Sequence, residues 1–182
     1  MSTSVAERYH WTRETYGHAV EAGVFGSADV QLRHGEVVSR VSPRGPRHAW
    51  AVQVLNVAFV DGLDRSRFAV RSQDPIARTD DDEPEPDLAV VTARRYAEDH
   101  PGPGDIHLLI EVSDSSYRDD QRKLREYAEV AVPQVWLVDV ARRQVEVHTS
   151  PDPAARGYRD VAVHPDGDLT FDGVRLAVTD LF

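Results

Sequence analysis

An α/β fold of the mixed α+β kind, one central mixed sheet flanked by helices, is predicted for this chain by three observations. Ile106 to Val112 is almost unbroken in aliphatic residues, which marks a central strand covered on both faces. Leu124, Tyr127, Ala128 and Ala131 then recur at the i, i+3, i+4, i+7 spacing of a helix packed back on that strand. Around this pair the pattern runs helix, strands, helix, strands, with no repeat and no linker, so residues 1–182 are expected to form a single domain.

Taken in order, Tyr9 to Gly23 reads as a short helix, with Thr12 able to cap its start and Gly23 to end it. Val30 to Val41 alternates loosely about His34-Gly35, a hairpin pattern. A loop at Ser42-Pro43-Arg44-Gly45-Pro46 leads into a helix over His48 to Val60. There Val52, Leu55 and Phe59 share a face and Trp50, Val54 and Val57 widen it, so this helix is expected to be well buried. Arg67 to Gln73 and Asp87 to Val91 read as strands. Between them the run Asp80 to Glu85, broken by Pro84 and Pro86, reads as a solvated acidic loop. After the central strand, Ser113, Ser115 and Ser116 offer helix caps, and Asp119 and Asp120 suit the first turn. Pro133 stops that helix. Gln134 to Val140 and Gln144 to Thr149 make a hairpin, and Gly157 to Phe182 is expected to close the sheet with short strands and turns.

Composition narrows the function. The hydrophobic content of 41% suits a folded globular chain. No apolar run reaches the roughly 20 residues of a membrane helix, and Met1 to His10 has no basic segment leading into an apolar one. Cysteine is absent, which removes disulfides, thiolate metal sites and cysteine nucleophiles, and suits a reducing cytoplasm. A net charge of −10 weighs against broad electrostatic grip on nucleic acid. No phosphate-binding glycine loop and no Gly-x-Ser-x-Gly elbow is present. His100 and His107 lack metal-ligand spacing.

Three residues draw attention to one end of the sheet. Glu111 interrupts the most apolar strand, where a carboxylate is costly to bury without a cation. Asp87 opens a neighbouring strand, and two converging carboxylates would repel unless a hard divalent ion sat between them. The plainer reading has each acid facing solvent at a strand end, at about even odds. Lys123 is the only lysine among 21 basic side chains, and it lies at the margin of the buried helix stripe. Lysine presents a compact charge whose pKa moves with its surroundings, which arginine does not. The plainer alternative is a surface pair with Asp119 at i, i+4.

The ordered set Pro86-Asp87, Leu109-Ile110-Glu111-Val112-Ser113-Asp114-Ser115-Ser116, Asp119, Lys123, Tyr127-Ala128, Val132-Pro133 and Val135-Trp136-Leu137-Val138-Asp139 resembles the Uma-type restriction endonucleases. These belong to the PD-(D/E)XK nuclease superfamily. The likeness continues upstream at His34-Gly35-Glu36-Val37, Ser42-Pro43, Pro46-Arg47-His48 and Gln73-Asp74-Pro75, and downstream at Asp180-Leu181-Phe182, so it spans nearly the whole chain. It implies a PD-(D/E)XK core in which Asp87 and Glu111 hold Mg²⁺, with Mn²⁺ as a substitute, and Glu36 is a further acidic ligand. It implies Lys123 as the third catalytic residue and DNA as the substrate. The superfamily lysine two residues after the second acid is replaced here by Ser113, and Gln31 stands where an acid is expected in many relatives.

His48 could contact phosphate or the site from its helix start, although a capping or packing role is about twice as common for such a histidine. Arg118 and Arg122, with Arg125, could contact a DNA backbone or simply face solvent. Cutting both strands symmetrically favours a homodimer, with Trp136 or Trp50 at its interface. The reading from another class is a non-catalytic binding or regulatory protein that keeps the nuclease fold, which the negative charge favours. A metal protein acting on some other phosphodiester has no specific support.

Overall fold

The computed structural model describes residues 8–39, 45–114 and 117–182. Helix α1 (Arg13–Glu21) starts where Thr12 accepts the backbone N–H of Thr15 and Thr15 returns the bond, a reciprocal cap. Strands β1 (Val30–Arg33) and β2 (Glu36–Ser39) form the expected hairpin. His34 and Gly35 both take positive φ, as a two-residue turn of this twist requires. Gly35 takes its positive φ without the steric cost that a Cβ would bring. The loop over Ser42, Pro43 and Arg44 and the caps Ser115 and Ser116 lie outside the described residues.

Helix α2 (Pro46–Gly62) opens on proline, where the missing N–H costs nothing. It buries Ala51, Val52, Leu55 and Phe59, but Trp50 and Val57 are 51% and 52% exposed. The helix therefore packs on one side only, and the breadth of its apolar stripe overstated its burial.

Six strands make one sheet in the order β3 (Phe68–Ser72), β4 (Leu88–Thr92), β5 (Ile106–Ser113), β6 (Gln134–Asp139), β7 (Gln144–Asp152), β8 (Gly157–His164). Only β5 and β6 are parallel, and α3 (Tyr117–Glu129) is their crossover. Strand alternation divides the interior. Leu88, Val90, Leu108, Ile110, Val112, Trp136 and Val138 pack towards α2. Ala89, Val91, Leu109, Val135 and Leu137 pack towards Leu124 and Tyr127 of α3. Glu111 shares the parity of Leu109, so the pleat alone aims it at α3.

The C-terminal segment does more than extend the sheet. β8 joins it as an edge, but β9 (Asp168–Phe171) and β10 (Val174–Ala177) form a separate hairpin. Leu169, Val174, Leu176, Val178 and Leu181 add to the core around α2. Trp136 is 1% exposed and stacks edge-on against Phe59, so it is a core residue rather than an interface one. The acidic loop also departs from expectation: Asp82 is fully buried and Glu83 nearly so. Asp82 binds Arg33 and Arg78, and Glu83 binds Arg13. Those arginines, far off in sequence, make burial of the acids tolerable. Among the described residues, no helix is long and apolar enough to cross a membrane.

Candidate active site

The β4–β5 register pairs Leu88 with Ile110, and continuing it by one residue sets Asp87 opposite Glu111. The same step from Ser72↔Leu88 sets Gln73 beside Asp87, and the Gln73 N–H donates to the Asp87 carbonyl. Three adjacent strand ends thus present Gln73, Asp87 and Glu111 in a row.

Asp87 is held from three sides. Its Oδ2 accepts the Val112 N–H at 2.8 Å and lies 3.1 Å from His48 Nε2, while Gln73 Nε2 donates to Oδ1 at 3.3 Å. Burial raises the pKa of this carboxyl, but His48, the Val112 N–H and Lys123 together carry it below the ordinary value. Asp87 is accordingly a carboxylate, and the His48 ring N–H donates to it.

Glu111 is 1% exposed. Lys123 Nζ donates to its Oε2 at 2.8 Å and the Tyr127 hydroxyl donates to its Oε1 at 2.6 Å. Both donors come from α3, four residues apart and hence one turn apart on one face. Burial pushes the Glu111 carboxyl up to about 7; Lys123 pulls it down, and Asp87 and Asp120 push it up further. Burial would lower the pKa of Lys123, yet Glu111, Asp120 and Asp87 hold it above its ordinary value. The shift is opposite to the one that burial alone gives a lysine. Tyr127 is raised well above its usual range, first by burial and then by Glu111.

Lys123 is paired, but not with Asp119. Its second partner is Asp120, at 3.3 Å and 4% exposed, whereas Asp119 turns outward to Arg122 at 3.8 Å. Asp120 is thus a third carboxylate of this cluster. Its sequence position gave only a helix-dipole signal, because which of two adjacent acids faces inward depends on where α3 begins.

Of the residues singled out in the sequence, Asp87, Glu111, Lys123 and His48 are brought together. Glu36 is not among them: it is exposed on β2 and its carboxylate pairs with Arg8 at 3.0 Å. Arg118, Arg122 and Arg125 are exposed along α3.

The donor set fits a hard cation. Three carboxylates, each at most 13% exposed in its side chain, gather about one ammonium, and the Glu111 carboxyl is raised first by burial and then by Asp87 and Asp120. A second group, His34, Asp82 and Glu126, places ligand atoms within 4.8 Å of one another. It is already saturated. Arg33 binds both Asp82 and Glu126, and Arg78 binds Asp82 and donates to His34 Nδ1 at 3.1 Å. His34 Nε2 is then the protonated nitrogen and faces Glu126 Oε1 at 3.1 Å, which leaves no ring lone pair for a metal.

Comparison with known proteins bears on the fold and the family. The solved structures include a similar one, described as a putative nuclease belonging to DUF820 from Anabaena variabilis ATCC 29413. It is 16% identical, with 84% of this chain and 89% of that one covered and a TM-score of 0.64, a likeness of fold. No curated protein matches this chain. The family Uma2, described as "Putative restriction endonuclease", matches over residues 18–178. With that span covering all but the ends, the chain belongs to the Uma2 restriction-endonuclease family.

Proposed function

We propose that this protein is a divalent-metal-dependent endodeoxyribonuclease whose catalytic centre is Asp87, Glu111 and Lys123. The observation that carries the reading is the Lys123 ammonium, 2.8 Å from a carboxylate embedded in the central strand. A buried acid and the chain's one lysine meet where a strand end and the crossover helix converge.

Asp87 and Glu111 would hold Mg²⁺, or Mn²⁺ in its place, with Asp120 completing the negative wall. When bound, such an ion supplies Lewis acidity towards a phosphodiester. The protein's own groups do the rest. Tyr127 and Lys123 fix the two oxygens of Glu111, and His48, Gln73 and the Val112 N–H fix Asp87. Lys123, held protonated, is suited to orient a water by donating to it and to offset charge on the pentavalent phosphorus as it forms. It is not suited to remove the water's proton. DNA is the substrate this chemistry fits, and the exposed Arg118 and Arg122 of the same helix would contact its backbone.

A second reading, a regulatory or binding protein retaining the fold, is favoured by the net charge of −10. One experiment separates the two: Mg²⁺- and Mn²⁺-dependent cleavage of supercoiled plasmid and single-stranded DNA at low salt, wild type beside Lys123→Ala. Cleavage by wild type and a loss of about 10²–10³-fold in the variant, the scale for removing one transition-state donor, is the expected outcome. Equal cleavage by both would remove Lys123 from the mechanism, and silence from both would favour the second reading.

A further inference from the structure

The sheet ends at β8, and among the described residues no strand pairs with its outer edge. Edge strands in folded proteins are usually shortened, bulged, proline-broken or covered. β8 is neither short nor broken by proline: it spans eight residues and keeps one register with β7, pairing everywhere along it except at Arg159, and its charges are confined to Arg159 and Asp160. Arg159 to Val163 are all exposed, and Val161 and Val163, on one face of the pleat, are 51% and 53% exposed. Two valines side by side on an open edge are a surface that asks for a partner.

We propose that β8 is the seam of a symmetric homodimer, pairing antiparallel with β8 of a second copy so that two six-stranded sheets become one. Among the registers centred on Asp160 to Val163, the sequence of the strand favours one. In a twofold antiparallel pair one residue must face its own copy. Asp160 in that place would set like charges opposite each other. Val161 there would set Arg159 against Val163, a charge on an apolar side chain. Val163 there would leave His164 against Ala162. Ala162 on the axis sets Asp160 opposite His164 and Val161 opposite Val163, twice each by symmetry. An acid meets an imidazole, an apolar group meets an apolar group, and the smallest side chain of Asp160–His164 sits where the strands cross. This surface goes beyond the chemistry assigned above and does not depend on it.

The chain has no cysteine, so a single introduced thiol reports one contact. Residues directly opposite on antiparallel strands have Cα atoms ~4.5 or ~5.5 Å apart, inside the disulfide range of roughly 4.4–6.8 Å. Wild type at micromolar concentration should sediment at twice the protomer mass. Ala162→Cys should cross-link to a dimer under mild oxidation, and Val161→Cys should not. Val161→Lys with Val163→Lys should sediment as a folded monomer, with circular dichroism unchanged and a melting temperature that no longer rises with protein concentration. A monomeric wild type overturns the proposal, as does a dimer that survives the lysines. Cross-linking of Val161→Cys in preference to Ala162→Cys overturns the register. Because DNA plays no part in these readouts, an inactive protein leaves the outcome unaffected.

Discussion

Lys123 reaches two carboxylates from one turn of helix, and its contacts explain why a chain otherwise confined to arginine places lysine there. A compact ammonium fits between Glu111 and Asp120, whereas a planar guanidinium would seek a bidentate partner and more room. Beside it, Glu111 links the site to pH. Its carboxyl is ordinary near 4.5 when the chain is unfolded and is raised to about 7 in the fold. The stability contributed by its proton is therefore complete below about 4.5 and is lost as pH rises through about 7. His148, whose pKa burial lowers, acts in the opposite sense near neutrality, so melting of the metal-free protein mixes the two. The rise in melting temperature on adding Mg²⁺ tests the proposed site, since a cation bound there would displace the Glu111 proton. That rise should be small at pH 5.5, grow through pH 7, and be much reduced in Asp87→Asn at every pH. A pH-independent rise would mean that the ion binds elsewhere. The sequence made Asp87, Glu111 and Lys123 visible because each broke a local pattern: an acid after proline, an acid in an aliphatic run, a lone lysine. Asp120 and Tyr127 broke none, and their roles, like the contact of His48 with Asp87, follow from directions that only the packed elements set.

At the scale of elements, α3 is the piece that assembles the site, and a buried network of charges anchors it. Glu126 precedes Tyr127 and binds Arg33 of β1, which also binds Asp82 of the acidic loop. Hairpin, loop and helix are thus tied at one place, beside the turn that carries Tyr127 and Lys123. Arg33 is 15% exposed and Asp82 not at all, so removing the guanidinium leaves carboxylates with too few cations. Arg33→Ala should cost about 3 kcal/mol in urea unfolding, the lower end for breaking a buried pair. A loss under about 1 kcal/mol would show that Arg78 alone neutralises the network. Helix and strand positions were legible from periodicity and turn residues, as Thr12 and the His34-Gly35 turn illustrate. Burial of the acidic loop was not, because six residues rich in Asp and Glu look solvated until the arginines that neutralise them arrive from elsewhere in the chain.

For the molecule as a whole, charge sets the terms of any encounter with DNA. Ten excess negative charges oppose it, and the exposed cations of α3 are Arg118, Arg122 and Arg125. If the exposed face of α3 supplies the contacts, three phosphates are neutralised per protomer, and the logarithm of affinity should fall against the logarithm of salt with a slope of magnitude about 3. Binding titrations from low to physiological salt check this. A slope near 8 would reveal a basic surface that the exposed face of α3 does not account for.

The isolation of Lys123 among arginines also gives the protein a built-in proteolytic reporter. An endoproteinase specific for lysine has one bond to cut in the chain, Lys123–Leu124, in the middle of α3 with Leu124 buried. The native helix should resist it, and each cut records one opening of the segment that carries the site. Added Mg²⁺, if it binds at the site as proposed, should slow the cut, so that a single gel band follows local opening of α3 in real time.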